Sequence, residues 1–280
     1  MASGDPSSTA AESHDTQSSV LSPQSSLGCL LLHGFTSSLA TMDGLVPYLE
    51  QRGLPYRLPT LRGHGSTPAA LHGVTWRDWY ADADRALDEL LGECERAVVV
   101  GLSMGGLVAL HLAAERPVRL AGVVAVAPAM RLAGGPLDQL RVFLRAVRGG
   151  MQTVDARNAY EDAALAAAST NYTEAPARAI LSLDQYGRVV KRLLPRITIP
   201  FLLIYTPRDR VVRPETARTI FDAVGTPADR KHLLAFDQCG HEMLLDRQRE
   251  TVFAGIMRFI DGLRQAATEG RRGEAAAPRA

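Results

Sequence analysis

Lysine is nearly missing from this sequence. Of its 31 basic residues only Lys191 and Lys231 are lysines, and the arginines are scattered along the chain. The 30 acidic residues almost cancel them, leaving a net charge of +1. With neither a basic patch nor a global field, nucleic-acid binding is excluded as the main activity. Cysteine is scarce too: Cys29, Cys94 and Cys239 lie far apart and are odd in number. That spacing offers no metal site and no disulfide framework, and it predicts a reducing compartment, the cytoplasm. No apolar run approaches the roughly 18 residues of a membrane span, so no transmembrane segment is expected. Residues 1–26 are Ser-rich, with Asp5, Glu12 and Asp15 but no Lys or Arg and no apolar core segment. They do not read as a secretory signal peptide, and their low apolar content predicts a disordered tail. Residues 265–280, rich in Ala, Arg and Gly, read as a second tail.

Between the tails, residues 27–264 are long and apolar enough for one domain with an insertion. Short apolar runs alternate with helical patterns. Strands are expected at residues 27–33, 56–59, 97–102, 120–127, 201–205 and 232–236. Helices are expected at 41–52, ending at Gly53, and at 75–91, where Thr75 caps a stripe of Trp76, Trp79, Tyr80, Ala83, Leu87, Leu90 and Leu91. Further helices follow at 104–115, from Pro214 onward, and at 247–263. Continuous apolar strands separated by amphipathic helices predict an α/β fold, a mostly parallel sheet covered by helices on both faces.

One interval breaks the rhythm. Residues 129–197 exceed any usual connection and read as a helical cap inserted over the carboxyl edge of the sheet. Within it, Leu137, Leu140, Phe143, Leu144 and Val147 form an apolar stripe backed by Arg141, Arg145 and Arg148. The stripe is expected to be buried, either lining an acyl pocket or packing the cap onto the sheet.

Gly101-Leu102-Ser103-Met104-Gly105 follows an apolar strand and opens a helix. A serine on that tight turn is exposed to substrate, the glycines let neighbouring backbones approach, and the helix N-terminus favours developing negative charge. A serine nucleophile needs a base, and the base needs an orienting carboxylate. Asp209 follows one predicted strand in P-R-D-R-V-V, and His241 follows the next in Q-C-G-H-E. The order Ser103, Asp209, His241, each at a strand's carboxyl end, predicts a catalytic triad. Asp237 and Asp246 also flank His241, but Asp246 reads as a cap of the last helix. Cys239 has no elbow around it and reads as a packed small residue. The first strand ends in His33-Gly34-Phe35-Thr36, and the backbone N–H groups of Phe35 and Met104 are the expected oxyanion hole. His33 and His64, in R-G-H-G, are expected to be structural.

The segments L-L-L-H-G-F-T-S-S, L-R-G-H-G-S-T-P, T-W-R-D-W, G-L-S-M-G-G and G-H-E-M-L-L-D occur in this order. Together they resemble the small bacterial carboxylesterases and monoacylglycerol lipases of the α/β-hydrolase superfamily, from about residue 27 to 263. The resemblance implies the α/β-hydrolase fold and cofactor-free, metal-free hydrolysis through an acyl-enzyme. It carries the triad roles to Ser103, Asp209 and His241, and the oxyanion roles to Phe35 and Met104. It further implies a helical cap over an apolar acyl pocket and a small ester substrate with a short- to medium-chain acyl group. Monoacylglycerol hydrolysis is the nearest alternative, and thioesterase and acyltransferase chemistry share the triad. Epoxide hydrolases and dehalogenases need an aspartate where Ser103 stands. A hydrolase-fold receptor without catalysis is the reading from another class, and reactivity of Ser103 toward a fluorophosphonate separates the two.

Overall fold

The computed structural model describes residues 25–276. The tail expected over residues 1–26 lies outside them, except that Ser25 and Ser26 already belong to the first strand. The strands are β1 Ser25–Leu32, β2 Tyr56–Arg57, β3 Cys94–Leu102, β4 Leu120–Val126, β5 Met151–Thr153, β6 Glu174–Pro176, β7 Phe201–Tyr205 and β8 Lys231–Ala235. Six of them form one sheet in the order β2-β1-β3-β4-β7-β8. Every neighbouring pair in it is parallel. β5 and β6 pair antiparallel inside the insertion.

The helices are α1 Ala40–Asp43, α2 Val46–Glu50, α3 Trp76–Leu90, α4 Met104–Glu115, α5 Pro136–Val147, α6 Ala163–Ala167, α7 Ala177–Leu193, α8 Glu215–Ala223 and α9 Arg249–Ala276. Alternation along each strand divides the core between two faces. Leu30, Leu32, Val99, Val123 and Ala125 face a cluster built with α3, α4, α7 and α8. Cys29, Leu31, Val98, Val100 and Val124 face the other, built with α1, α2 and α9. Both faces of the four inner strands, β1, β3, β4 and β7, are therefore dry along most of their length, which is why they read as apolar runs. α4 is buried from Met104 to Ala114, all round its circumference, because α7 covers the side turned away from the sheet.

The helix expected over residues 41–52 is split in two. Pro47 has no N–H to offer the carbonyl of the preceding turn, so the helical ladder breaks after Asp43 and restarts with Pro47 in the first turn of α2. The last helix continues through residue 276, past the point at which a tail was expected.

The insertion between β4 and β7 carries α5, α6, α7 and the β5–β6 pair. Its apolar stripe is not buried. Leu137 is 70% exposed, Leu140 50%, Phe143 52%, Leu144 42% and Val147 63%. α5 instead leans on α7 with its Val142 and Ala146 side, and Arg178 Nε donates to the Ala146 carbonyl at 2.9 Å. Both expectations for the stripe, pocket lining and packing onto the sheet, are thereby overturned. Periodicity identifies residues that share a face but not the direction in which the face points.

Candidate active site

The turn from β3 into α4 forces Ser103 to φ 55° and ψ −112°, a region non-glycine residues rarely occupy. Its backbone is held from two sides: the N–H donates to the Val126 carbonyl at 2.9 Å, and the carbonyl accepts from Ala129 at 3.1 Å. The flanking glycines are dictated by space. A Cβ on Gly101 would lie 2.1 Å from the Gly105 carbonyl oxygen, and one on Gly105 only 2.2 Å from that of Leu32. Thr36 after β1 and Ala127 after β4 are the other non-glycine residues with positive φ among the described residues. All three strained residues stand just beyond the carboxyl ends of adjacent strands, where such strain marks functional sites.

Asp209 and His241 meet at the ends of β7 and β8. His241 Nδ1 and Asp209 Oδ2 are 2.7 Å apart, and both side chains are buried. Asp209 Oδ1 accepts from the backbone of Val211 and Val212, each at 2.8 Å, so the carboxylate is fixed before it meets the imidazole. Burial is the largest influence on His241 and pulls its pKa down. The charge and hydrogen bond of Asp209, with the charge of Glu242, outweigh it, and the net pKa lies above the ordinary value.

The loop after β1 approaches Ser103 closely: a Cβ on Gly34 would sit 3.5 Å from the Ser103 Cβ. The Phe35 N–H has no acceptor among the described residues, and the Met104 N–H is the first of α4, one of the four a helix leaves unpaired. Two buried histidines brace this loop. His33 Nε2 accepts from the Leu61 N–H at 3.1 Å, and His64 Nε2 accepts from the Thr36 N–H at 3.2 Å. Burial lowers the pKa of both, that of His33 to about 3 with help from its neighbour His64. They are neutral acceptors that hold backbone in place.

Three polar residues at the site were not singled out from the sequence, or were given another role. The carboxylate of Asp246 does not cap α9; its Oδ2 accepts from Gly240 and Glu161 backbone, each at 2.7 Å, tying the His241 loop to the insertion. Glu242 donates its N–H to the Ala159 carbonyl at 2.9 Å, and its Oε1 accepts from Asn171 Nδ2 at 2.9 Å. Its Oε2 is buried without a partner among the described residues, and burial raises the carboxyl pKa. A carboxylate next to a loop histidine was the signal available. Its partners lie about 70–80 residues away in sequence, beyond any local pattern.

Ser103, His241, Phe35, Asn171 and Glu242 line one cavity of about 260 Å³, whose apolar walls include Leu132, Val154, Ile180, Leu183 and Val211. No residue of the α5 stripe lines it. A larger groove of about 910 Å³ lies at the opposite edge of the sheet, against α9, but holds none of the strand-end residues. Size therefore does not locate the site; the converging polar groups do. Cys29, Cys94 and Cys239 are buried free thiols, with burial pushing the Cys29 and Cys239 pKa values to about 12 and that of Cys94 to about 11. None is a ready nucleophile. No group of three or more His, Cys, Asp or Glu side chains is placed to hold a metal ion among the described residues.

The profile of the family described as serine aminopeptidase, S33, matches residues 24–248. A thermostable monoacylglycerol lipase of Bacillus sp. (strain H-257) is 28% identical over 84% of this chain and 90% of its own length. A carboxylesterase of Bacillus subtilis (strain 168) is 25% identical over 84% of this chain and 92% of its own. A solved structure from work on LipS and LipT, two metagenome-derived lipolytic enzymes, superposes with a TM-score of 0.77 at 30% identity. It covers 85% of this chain and 95% of that one.

Proposed function

Because the chain belongs to the serine aminopeptidase S33 family of α/β-hydrolases, we propose that it is a serine hydrolase of carboxylic esters acting through an acyl-enzyme. The observation that carries the reading is the buried 2.7 Å contact of Asp209 with His241, which lines the same cavity as Ser103 on its strained turn. The family is described as peptidase, but the relatives matched along most of the chain are esterases and lipases, and the reading follows them.

In this mechanism neutral His241 takes the proton of Ser103 Oγ as the oxygen attacks the ester carbonyl. Negative charge forms on the carbonyl oxygen, where the Phe35 and Met104 N–H groups receive it. Asp209 stabilises the imidazolium and keeps its Nδ1 proton in place. His241 then protonates the departing alcohol oxygen, leaving the acyl group on Ser103. Water, deprotonated by the same histidine, repeats the sequence and releases the carboxylic acid. Each step moves one proton and requires no cofactor.

Phe35, Val154, Ile180, Leu183 and Val211 make the cavity suited to an apolar acyl group of short to medium length. Monoacylglycerol is the second reading, favoured by Asn171, a part-buried amide in that wall positioned to meet an alcohol hydroxyl. The buried thiols support a reducing compartment, the cytoplasm, as the place of action. Among the described residues no helix is long and apolar enough to cross a membrane.

Rates on aryl esters and on monoacylglycerols of matched acyl length test the assignment. Ester hydrolysis that falls by several powers of ten in Ser103→Ala supports the reaction. Turnover retained by the folded variant refutes it. A higher kcat/KM on monoacylglycerols selects the second reading.

A further inference from the structure

Five of the seven exposed large apolar residues among those described stand on α5. At about 100° per residue, Leu137, Leu140, Phe143, Leu144 and Val147 cover an arc of roughly 120°. Arg141, Arg145 and Arg148 occupy roughly the next 60°. Val142 and Ala146, the least exposed positions of the helix, lie on the far side, toward α7. The helix is amphipathic, but its apolar face looks away from the protein, and none of that face reaches the cavity that holds Ser103. A contiguous apolar patch rimmed by charge marks an interaction surface.

We propose that this face of α5 docks the enzyme on an anionic lipid surface, the apolar arc entering the acyl boundary and the arginines meeting the headgroups. Charge selects this occupant. Residues 131–148 hold Arg131, Arg141, Arg145 and Arg148 against a single acid, Asp138. Two copies of the chain paired through α5 would bring these arginines together, whereas an anionic bilayer complements them. Leucines and a phenylalanine beside arginines, on a helix too short and too polar to span, are the composition of an interfacial helix. The overall charge near zero does not oppose this, because a surface potential acts only within about a Debye length, ~10 Å at 0.1 M salt. Docking does not depend on the reaction proposed for Ser103, so either can fail alone.

The test is co-sedimentation of the full chain with phosphatidylcholine vesicles and with equimolar phosphatidylcholine–phosphatidylglycerol vesicles. The comparison variants are Leu140→Ser/Phe143→Ser and Arg141→Gln/Arg148→Gln, all at exposed positions. Wild type is expected on the anionic vesicles. The apolar double variant is expected to bind at least about tenfold more weakly. The arginine double variant, which keeps Arg131 and Arg145, is expected to lose about thirtyfold at low salt and roughly half of the salt dependence. Unchanged melting and unchanged hydrolysis of a water-soluble ester show that the variants are folded. Wild type remaining in the supernatant, or a folded Leu140→Ser/Phe143→Ser protein binding like wild type, overturns the proposal. So does a dimer that ignores vesicles and that the same substitutions dissociate, since a second copy then covers the face.

Discussion

Replacing Asp209 by Asn removes a charge while keeping the side chain's volume. In the native arrangement Oδ1 accepts two backbone N–H groups at 2.8 Å, and Oδ2 faces His241 Nδ1 at 2.7 Å. An amide keeps its oxygen toward the two N–H groups, so its NH₂ is left facing the imidazole. Two donors cannot share that contact. His241 must then carry its proton on Nε2, the nitrogen that the proposed mechanism needs free. The cost expected is on the order of 10⁴ in kcat, about 5 kcal/mol in the barrier. The pH profile should move as well. Burial, the largest influence, depresses the His241 pKa, and Asp209 is the main group that raises it again. In wild type the acid limb of kcat/KM should therefore lie above ~6.5, and in Asp209→Asn the residual activity should titrate below it. Stability has the opposite sign. A histidine with a raised folded pKa stabilises fully below ~6.5, and that contribution disappears as pH rises through the folded value. The pair thus contributes least to stability where the enzyme is most active. The assay is kcat/KM on a soluble aryl ester from about pH 5 to 9, with melting curves for both proteins. A folded Asp209→Asn protein within about tenfold of wild type, or one whose limb does not move down, refutes the reasoning.

Glu242→Gln keeps the acceptor for Asn171 but removes the second carboxylate beside His241, so the acid limb should shift downward by less than in Asp209→Asn; an unmoved pH profile would show that Glu242 does not act on the base. Asn171→Ala leaves both Glu242 oxygens without partners and should cost about 1–3 kcal/mol in denaturant unfolding, where no loss would mean the contact is immaterial. His33, neutral in the fold with its pKa lowered to about 3 chiefly by burial, favours unfolding as pH falls from ~6.5 toward 3, by up to about 5 kcal/mol. His33→Gln keeps an acceptor for Leu61 and should lower the midpoint of acid unfolding; an unchanged midpoint would assign acid sensitivity elsewhere. Gly105→Ala drives a Cβ to 2.2 Å from the Leu32 carbonyl oxygen, so a loss of about 3 kcal/mol in stability is expected, and wild-type melting would show that the turn can yield.

The sheet was legible because its four inner strands are dry on both faces and nothing competes with that pattern. The serine turn was legible because steric demands at Gly101 and Gly105 leave a sequence trace. Asp209 and His241 could be located by chain order, since each follows an apolar strand directly. The orientation of α5 was not legible: its period names a face, and only the packing of Val142 and Ala146 toward α7 decides where it points. Glu242, Asn171 and Asp246 connect segments distant in sequence through single hydrogen bonds, which leave no period and no motif. Pro47 was an available signal for the break between α1 and α2, which the expected single helix over 41–52 did not use. The continuation of α9 through residue 276 uses Ala, Arg and Glu, good helix formers, but spans Gly270 and Gly273 and carries no apolar stripe, so no periodicity marked it.

Covalent labelling with a fluorophosphonate, followed by peptide mapping, asks whether the cavity serine is an activated nucleophile. One label per chain on Ser103 is expected, lost in Ser103→Ala and slowed at least about a hundredfold in Asp209→Asn, together with ester hydrolysis. A folded wild-type chain that hydrolyses esters yet carries the label on another residue, or none, would contradict the assignment of Ser103, Asp209 and His241.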